Sequence, residues 1–307
     1  WLAENGFDQF SDLDRPLFAA VRRVLTYKEQ GIFIDMVRWM TGDINLEYDT
    51  PWAEQKRQKG LGANLLIGGP ISDSLGQQWA DEYRRLQDDP ELRGKLVFIN
   101  KTGTKIMGLA TSAADVWLES PRQTREASGT SHQRALLNGK LVIATATGGQ
   151  LAVIEHGKNS WLVDVFQTGG FTAAFDEVAD ALDNPNHPRY HEFVARYRAG
   201  AQRLFGQYMT EGVSLYRAYK NDGDKKILEM MSRAFRDSHK KISIGTMMRD
   251  YEELFVHVLN GTGAAGYESR QVPASPDVVS LQGINDFVSE KYRLDGRSVA
   301  LERFLSG

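Results

Sequence analysis

The chain has 307 residues, of which 41% are hydrophobic and 25% are charged, and its formal net charge is −3. This composition is typical of a globular protein, and the length allows about two domains. The small negative charge gives no general attraction to nucleic acid or to an anionic membrane surface. The absence of cysteine excludes disulfides, a thiol nucleophile and cysteine-ligated metal sites.

The hydropathy of the chain and its first residues bear on targeting. No apolar run reaches the roughly 18 residues that a membrane-spanning helix needs, and residues 1–10 lack the charged and apolar regions of a signal peptide. We therefore expect a cytoplasmic protein without a membrane span. The chain begins at Trp rather than Met, as expected of a fragment or a processed piece.

Alternating strands and helices are predicted over the first half of the chain. Strands are predicted at residues 19–25, 63–67, 96–99, 116–118 and 141–144, and helices at 31–40, 74–87, 105–113 and 133–137, with a long loop over 41–62. Strands that alternate with helices and end in glycine-rich turns predict right-handed crossovers and a parallel sheet. Such a sheet binds ligands beyond the carboxyl ends of its strands. Four segments lie at the carboxyl ends of predicted strands, namely residues 23–28, Gly68-Gly69, Asn100 and residues 126–130.

Helices dominate the prediction after residue 163. They are predicted at residues 171–182, 190–205, 212–219, 224–239 and 244–259. Residues 261–280 are rich in Gly, Ala, Ser and Pro, which is typical of a surface linker. One or two further helices are predicted over 284–305.

Residues 126–131 form the most informative local pattern, in which a carboxylate and small residues precede a predicted helix. The unpaired N–H groups and the dipole at a helix N-terminus favour an anion, and Glu126 can accept hydrogen bonds from sugar hydroxyls. A capped helix explains the same residues without a ligand, because Ser and Thr are common N-caps and Gly is a common turn residue. The local pattern alone favours the capped helix.

Several segments in chain order carry a family resemblance. They are residues 22–28 (RRVLTYK), 90–98 (PELRGKLVF), 114–118 with 126–131 and 137–139 (ADVWL, EASGTS and LNG), and 157–161 (GKNSW). Together they resemble the C-terminal half of the α-glucan phosphorylases and, more distantly, of the glycogen synthases. These are retaining glycosyltransferases built from two facing Rossmann-like domains, the GT-B fold.

The resemblance implies an α/β fold with a Rossmann-like, doubly wound parallel sheet, which forms one half of a GT-B fold and carries a helical C-terminal extension. The expected parts are an N-terminal connector (1–18), a donor-binding domain (19–165), the helical remainder of that domain (166–260), and a linker with a helical tail (261–307).

The resemblance also implies roles for individual residues. Arg23 and Lys28 would hold the phosphate of the leaving group, where two cations stabilise negative charge that develops in the transition state. Glu126 would accept hydrogen bonds from the hydroxyls of the donor sugar. No protein nucleophile is expected, because the leaving phosphate helps to deprotonate the acceptor in this family. The remaining predicted substrate-binding and phosphate-binding residues are Ala127, Ser128, Gly129, Thr130, Gly68, Gly69 and Arg134.

Some positions depart from the phosphorylase pattern. Arg134 stands eight residues after Glu126, where glucan phosphorylases carry the lysine that binds pyridoxal phosphate. The guanidinium of arginine stays charged in proteins, so Arg134 cannot act as a free amine, and no cofactor is expected. Gly69, Lys101 and Val153 also differ from phosphorylase residues.

Three further candidates rest on residue type alone. Trp52, in the predicted long loop, is a candidate for stacking on a sugar. His132 lies beside the predicted pocket, where a phosphate contact and an exposed helix position are both open. His187 and His191 lack a third ligand at zinc spacing, so no metal site is expected.

The sequence therefore predicts the donor-binding half of a retaining glycosyltransferase, independent of pyridoxal phosphate. It would transfer a hexose, expected to be glucose, from a nucleotide-sugar to a carbohydrate acceptor. The family's active site lies between two domains, so an N-terminal domain or a partner chain is expected to complete it. Two alternatives stay open, a pyridoxal-free glycan phosphorylase and a non-catalytic glycosyltransferase-like subunit.

Overall fold

The structure is a computed structural model that describes residues 9–101, 103–126, 129–168, 171 and 175–259. The predicted linker over 261–280 and the predicted helices over 284–305 lie outside the described residues, as do Ala127 and Ser128. The strands are β1 (Leu17–Val21), β2 (Glu47–Asp49), β3 (Arg57–Lys59), β4 (Asn64–Gly68), β5 (Leu96–Ile99), β6 (Val116–Glu119), β7 (Leu141–Thr145) and β8 (Trp161–Val163). The α-helices are α1 (Val37–Thr41), α2 (Ser74–Gln87), α3 (Thr104–Ala113), α4 (Ser131–Leu137), α5 (Gln150–Val153), α6 (Val165–Thr168), α7 (Phe175–Asp183), α8 (Tyr190–Asp222), α9 (Lys226–Ile242) and α10 (Ile244–Leu259).

Six of the strands form one parallel sheet in the order β5-β4-β1-β6-β7-β8. Numbered among themselves, these strands follow the order 3-2-1-4-5-6, which is the doubly wound Rossmann order. The chain therefore starts in the middle of the sheet, builds one side, and returns to build the other. The point where the winding reverses lies between β1 and β6.

Both faces of the sheet are covered. Successive residues of β1 alternate between two apolar cores, with Phe18 and Ala20 in one and Ala19 and Val21 in the other. Helices α1, α2 and α8 contribute to the first core, and α3, α4 and α5 to the second. A parallel sheet that is buried on both faces by helices confirms the predicted α/β fold class.

The sequence placed most elements of the sheet correctly, and the exceptions have local causes. The strand predicted over 19–25 ends at Val21, and Val24 pairs again only as an isolated bridge with Ile71. The regular ladder stops there because the partner strand reaches Gly68 and Gly69, whose φ angles are +130° and +138°. The helix predicted over 31–40 is a 3₁₀ helix (Gln30–Met36) followed by α1.

The predicted loop over 41–62 contains the antiparallel hairpin of β2 and β3. Trp52 from this segment is only 8% exposed, and its ring meets that of Trp39 edge to face at 5.0 Å between centroids. The prediction that Trp52 stacks on a sugar is therefore wrong, because its ring belongs to the core.

The two helices predicted over 190–205 and 212–219 are one continuous helix, α8, of 33 residues. Gly206 interrupts the apolar pattern inside this helix, and the ring of Trp52 occupies the space beside it. A Cβ atom at Gly206 would come within 2.2 Å of that ring. The glycine therefore serves close packing and does not end the helix.

Candidate functional site

The site lies at the carboxyl ends of β1 and β6, where the winding of the sheet reverses. Ligands of doubly wound sheets bind in the crevice at this position. After β1 the chain turns through a 3₁₀ helix (Thr26–Lys28), and after β6 it runs through residues 120–126 toward α4. These two segments bring Lys28 and Glu126, 98 residues apart in sequence, into direct contact.

Three buried charged side chains meet here. The ammonium of Lys28 donates to Oε2 of Glu126, and a guanidinium nitrogen of Arg22 lies 3.5 Å from the same oxygen. Each residue is less than a tenth exposed, and buried charges persist only when they are paired. We call Arg22, Lys28 and Glu126 the switch-point cluster. The structure therefore brings together two of the three predicted catalytic residues.

Arg23, the third, occupies a different position. Its side chain is exposed, and within the described residues it has no hydrogen bond or ion pair. The buried arginine of the cluster is Arg22, which sequence reasoning missed. The sequence did contain a signal for a buried arginine, because Arg22 and Arg23 come directly after an apolar strand. Of two consecutive residues in extended backbone, one can face inward while the other faces solvent. Phosphate binding by Arg23 stays a prediction.

Gly68 and Gly69 have a structural requirement of their own. A Cβ atom at Gly68 would lie 2.0 Å from the carbonyl oxygen of Ile99, and one at Gly69 would lie 2.0 Å from that of Arg22. The amide of Arg22 also donates to the carbonyl of Gly68 at 2.8 Å. Glycine is thus needed at both positions, because the backbone of Ile99 passes too close to residue 68 for a side chain, and that of Arg22 too close to residue 69. Substrate binding by the two glycines stays a prediction.

The segment before α4 is described in part. A Cβ atom at Gly129 would lie 3.5 Å from Oε1 of Glu126, so the backbone there passes close to the carboxylate. Thr130 is exposed and precedes α4, but its side chain makes no capping hydrogen bond. For Thr130 the capped-helix alternative is therefore wrong. Arg134 is half-buried on α4, with no side-chain ion pair within the described part of the chain.

A second buried cluster lies beneath the first. Glu119 ends β6, and its Oε2 accepts a hydrogen bond from Nε2 of Gln150 at 2.8 Å and lies 3.2 Å from Nδ1 of His132. Burial alone would raise the pKa of Glu119, but the hydrogen bond with His132 and the charge of Arg22 outweigh it and lower the pKa to about 2. His132 is fully buried, so an exposed helix position is wrong for it.

Arg22 connects the two clusters. Burial lowers the pKa of its guanidinium, and the negative charges of Glu119 and Glu126 oppose that shift. Glu119 and Gln150 were missed in the sequence, although a carboxylate at the end of an otherwise apolar strand is an unusual pattern. Together the clusters supply two cations and two carboxylates under the switch point.

Two features are absent from the described residues, a membrane-spanning helix and a metal-binding group of side chains. None of the helices there is long and apolar enough to cross a membrane. In the same part of the chain, no three His, Asp or Glu side chains gather as metal ligands would.

Comparisons with known proteins bear on this arrangement. A family model described as glycosyl transferases group 1 matches residues 6–196. Maltodextrin phosphorylase of Thermococcus litoralis is 29% identical over 141 residues, which is 43% of this chain and 17% of that protein. Glycogen phosphorylase of Aquifex aeolicus is 30% identical over 123 residues, which is 39% of this chain and 18% of that protein. The matches thus cover less than a fifth of the length of these curated relatives.

Among solved structures, that of Anabaena Alr3699/HepE in complex with UDP and glucose is 16% identical and covers 79% of this chain and 48% of that one, with a TM-score of 0.46. The family match over residues 6–196 takes in all six strands of the parallel sheet and both segments of the switch-point cluster. The chain belongs to the family of group 1 glycosyl transferases.

Proposed function

We propose that the chain is the donor-binding half of a retaining glycosyltransferase, which transfers a hexose from a nucleotide-sugar to a carbohydrate acceptor. The observation that carries the proposal is the contact of Lys28 with Glu126 at the switch point. A cation for a phosphate and a carboxylate for sugar hydroxyls are the two groups that a sugar phosphate donor requires. The names of the curated relatives, which act on maltodextrin and glycogen, support a carbohydrate substrate and a glucose unit.

In this proposal the cations stabilise the leaving phosphate. Lys28 and Arg23 approach it from the carboxyl end of β1, and Arg22 adds a buried positive charge behind Glu126. Fixed charges in a site of low dielectric stabilise a developing anion without reorganising, and one such group contributes on the order of 3 kcal/mol to the transition state. The backbone of Gly68, Gly69 and residues 127–130 and the side chain of Arg134 complete the proposed donor site.

We propose that the reaction uses no pyridoxal phosphate. The chemistry of Arg134 supports this, because a guanidinium that stays charged does not form a Schiff base. Its place on α4, half-buried and within the family match, suits a contact with a phosphate oxygen instead.

We propose further that a facing domain, carried by the same protein or by a partner chain, presents the acceptor. Two features support this. The matches cover less than a fifth of the curated relatives, and the exposed Arg23 leaves a charged side chain at the ligand edge of the sheet.

The alternative is a pyridoxal-free glycan phosphorylase, for which inorganic phosphate replaces the nucleotide. The specific observation in its favour is that both curated relatives are named phosphorylases. The same cluster would then bind phosphate and a sugar 1-phosphate, and a nucleoside diphosphate would have no advantage.

Thermal unfolding with added ligands tests the proposal. We expect UDP or ADP, and a nucleotide-sugar, to stabilise the protein, by about 2.7 kcal/mol at a hundred times the Kd. Arg23→Ala is expected to reduce the shift, because the variant lacks the proposed phosphate contact. It should keep the fold, since the exposed side chain of Arg23 has no hydrogen bond or ion pair within the described residues. The matched control is Arg93→Ala, an exposed arginine that precedes β5 and so lies at the opposite edge of the sheet.

Two outcomes would count against the proposal. If inorganic phosphate and glucose 1-phosphate raised the unfolding temperature but none of the nucleotides did, the result would favour the phosphorylase. If none of these ligands raised the unfolding temperature, both enzyme hypotheses would be rejected. The non-catalytic glycosyltransferase-like subunit would then remain.

A further inference from the structure

Three consecutive residues, Tyr27, Lys28 and Glu29, are hydrogen-bonded to the segment that leads to Glu126. The carbonyl of Tyr27 accepts from the amide of Arg122 at 2.7 Å. The carbonyl of Lys28 accepts from the hydroxyl of Ser120 at 3.0 Å. The carboxylate of Glu29 accepts from Nε of Arg122 at 2.9 Å and from a second nitrogen of the same guanidinium. The two loops are therefore joined at three consecutive residues.

Glu29 has an unusual backbone. Its φ and ψ angles are +49° and +29°, and within the described residues no other residue except glycine has a positive φ. Left-handed backbone is disfavoured for any residue with a Cβ atom. Glu29 directly follows Lys28, so this bend sets the direction in which the Lys28 turn leaves the site. Such conformations persist where surrounding contacts hold them.

Arg122 supplies the contacts of the Glu29 side chain. It is 8% exposed, and a third nitrogen of its guanidinium donates to the carbonyl of Leu182 at the end of α7. Asp183 lies 3.8 Å from the same nitrogen. The guanidinium is thus fixed from the side of α7 and presents its remaining donors to Glu29. Arginine suits this place because its planar fork bonds several acceptors at once.

We propose that Glu29 and Arg122 are positioning residues, which hold the loop of Lys28 against the loop that leads to Glu126. They would thereby fix the spacing between the phosphate-binding and sugar-binding parts of the donor site, both when Lys28 contacts Glu126 and when the two side chains bind a donor. The inference rests on the proposed function for its effect on ligands. Its structural part, the dependence of the Lys28–Glu126 contact on the Glu29–Arg122 pair, stands without a ligand.

The first test compares Glu29→Ala with Glu29→Gly. Both variants remove the ion pair, but glycine relieves the left-handed backbone and alanine does not. We expect the glycine variant to be the more stable in urea, and both variants to bind UDP about tenfold more weakly than the unchanged protein. The matched control is Arg38→Gln, which breaks an arginine pair with Asp89 and Glu91 far from the two loops. The control is expected to keep UDP affinity.

If Glu29 and Arg122 had only a structural role, the UDP affinity of each variant would follow its stability in urea. If Glu29→Gly regained UDP affinity together with stability, or if neither variant lost affinity, the inference would be overturned. Arg122→Lys, which keeps the charge but loses the fork, is expected to weaken UDP binding as Glu29→Ala does.

The second test needs no ligand and separates this inference from the proposed function. A double-mutant cycle in urea combines Glu29→Gln with Lys28→Met. We expect the two changes in unfolding free energy to be non-additive, because loss of the Glu29 pair already displaces Lys28 from Glu126. If the unchanged protein binds none of the nucleotides, non-additivity still supports the positioning role. Additive effects overturn it.

Discussion

The contact between Lys28 and Glu126 is the residue-scale feature with the clearest consequence. Taking two charges out of water costs several kcal/mol per ion, so a buried ion pair is weak support for stability. While Lys28 donates to Glu126, the ammonium is less available to a phosphate and the carboxylate is less available to sugar hydroxyls. The two parts of a sugar phosphate donor therefore compete with the same internal contact.

This competition predicts cooperative binding of phosphate and sugar. A phosphate that draws Lys28 away releases Glu126 for hydroxyls, so UDP is expected to raise the affinity for free glucose about tenfold, and glucose to raise that for UDP by the same factor. Calorimetric titration of glucose with and without saturating UDP measures the coupling. The coupling should vanish in Glu126→Gln, and mutual exclusion of UDP and glucose would contradict the prediction.

Glu119 predicts a loss of stability in acid. Its pKa is lowered from 4.5 to about 2 in the folded protein by His132 and Arg22, against the effect of burial. The ionised form therefore stabilises the fold above a pH of about 4.5, by on the order of 3 kcal/mol, and this stabilisation is lost as the pH falls toward about 2.

The matched comparison for that prediction is Glu119→Gln. The difference in urea unfolding free energy between the unchanged protein and this variant should be largest near neutral pH and shrink as the pH falls from about 4.5 to about 2. A difference that stays constant over this window would show that the charge of Glu119 does not stabilise the fold.

At the scale of elements, local patterns in the sequence were sufficient to predict the bounds of some helices and strands. Helix α2 (Ser74–Gln87) and strand β5 (Leu96–Ile99) have the bounds that the sequence predicted. The failures involve long-range contacts that no local pattern contains. The end of β1 depends on Gly68 and Gly69 at the end of its neighbour β4. The glycine inside α8 is explained by the ring of Trp52, which comes from a loop far away in the chain.

Two glycines of α8 predict opposite effects of the same substitution. A Cβ atom at Gly206 would clash with the Trp52 ring at 2.2 Å, whereas one at Gly212 would meet the Trp161 ring at an ordinary 3.7 Å. Gly206→Ala is expected to destabilise the protein by about 1–3 kcal/mol. Gly212→Ala is expected to stabilise it by roughly 0.5–1 kcal/mol, because alanine restricts the unfolded chain. Urea unfolding of both variants measures the difference, and equal signs would contradict the packing argument.

At the scale of the whole molecule, strands alternating with helices predicted a parallel sheet, but not the order of its strands. That order decides the site, because it makes β1 and β6 neighbours and thereby joins Lys28 to Glu126. The family resemblance singled out both residues, together with the exposed Arg23. Arg22, Glu119 and Glu29 were missed because their roles arise from burial and from contacts across strand ends, which a single sequence does not display.

The last prediction concerns the division of labour between this chain and a facing domain. Holding an acceptor next to the donor lowers the activation barrier of a two-substrate reaction by about 7–11 kcal/mol. In the proposed function that task belongs to the facing domain. We therefore expect this chain alone to bind UDP-glucose but to transfer glucose to maltodextrin far more slowly than the same chain together with a facing domain. Release of UDP and growth of the maltodextrin measure the transfer, and Glu126→Gln in the complete assembly controls for contaminating activity. Equal turnover by the chain alone would show that the sheet of β1 and β4 to β8, with its helices, contains the whole active site.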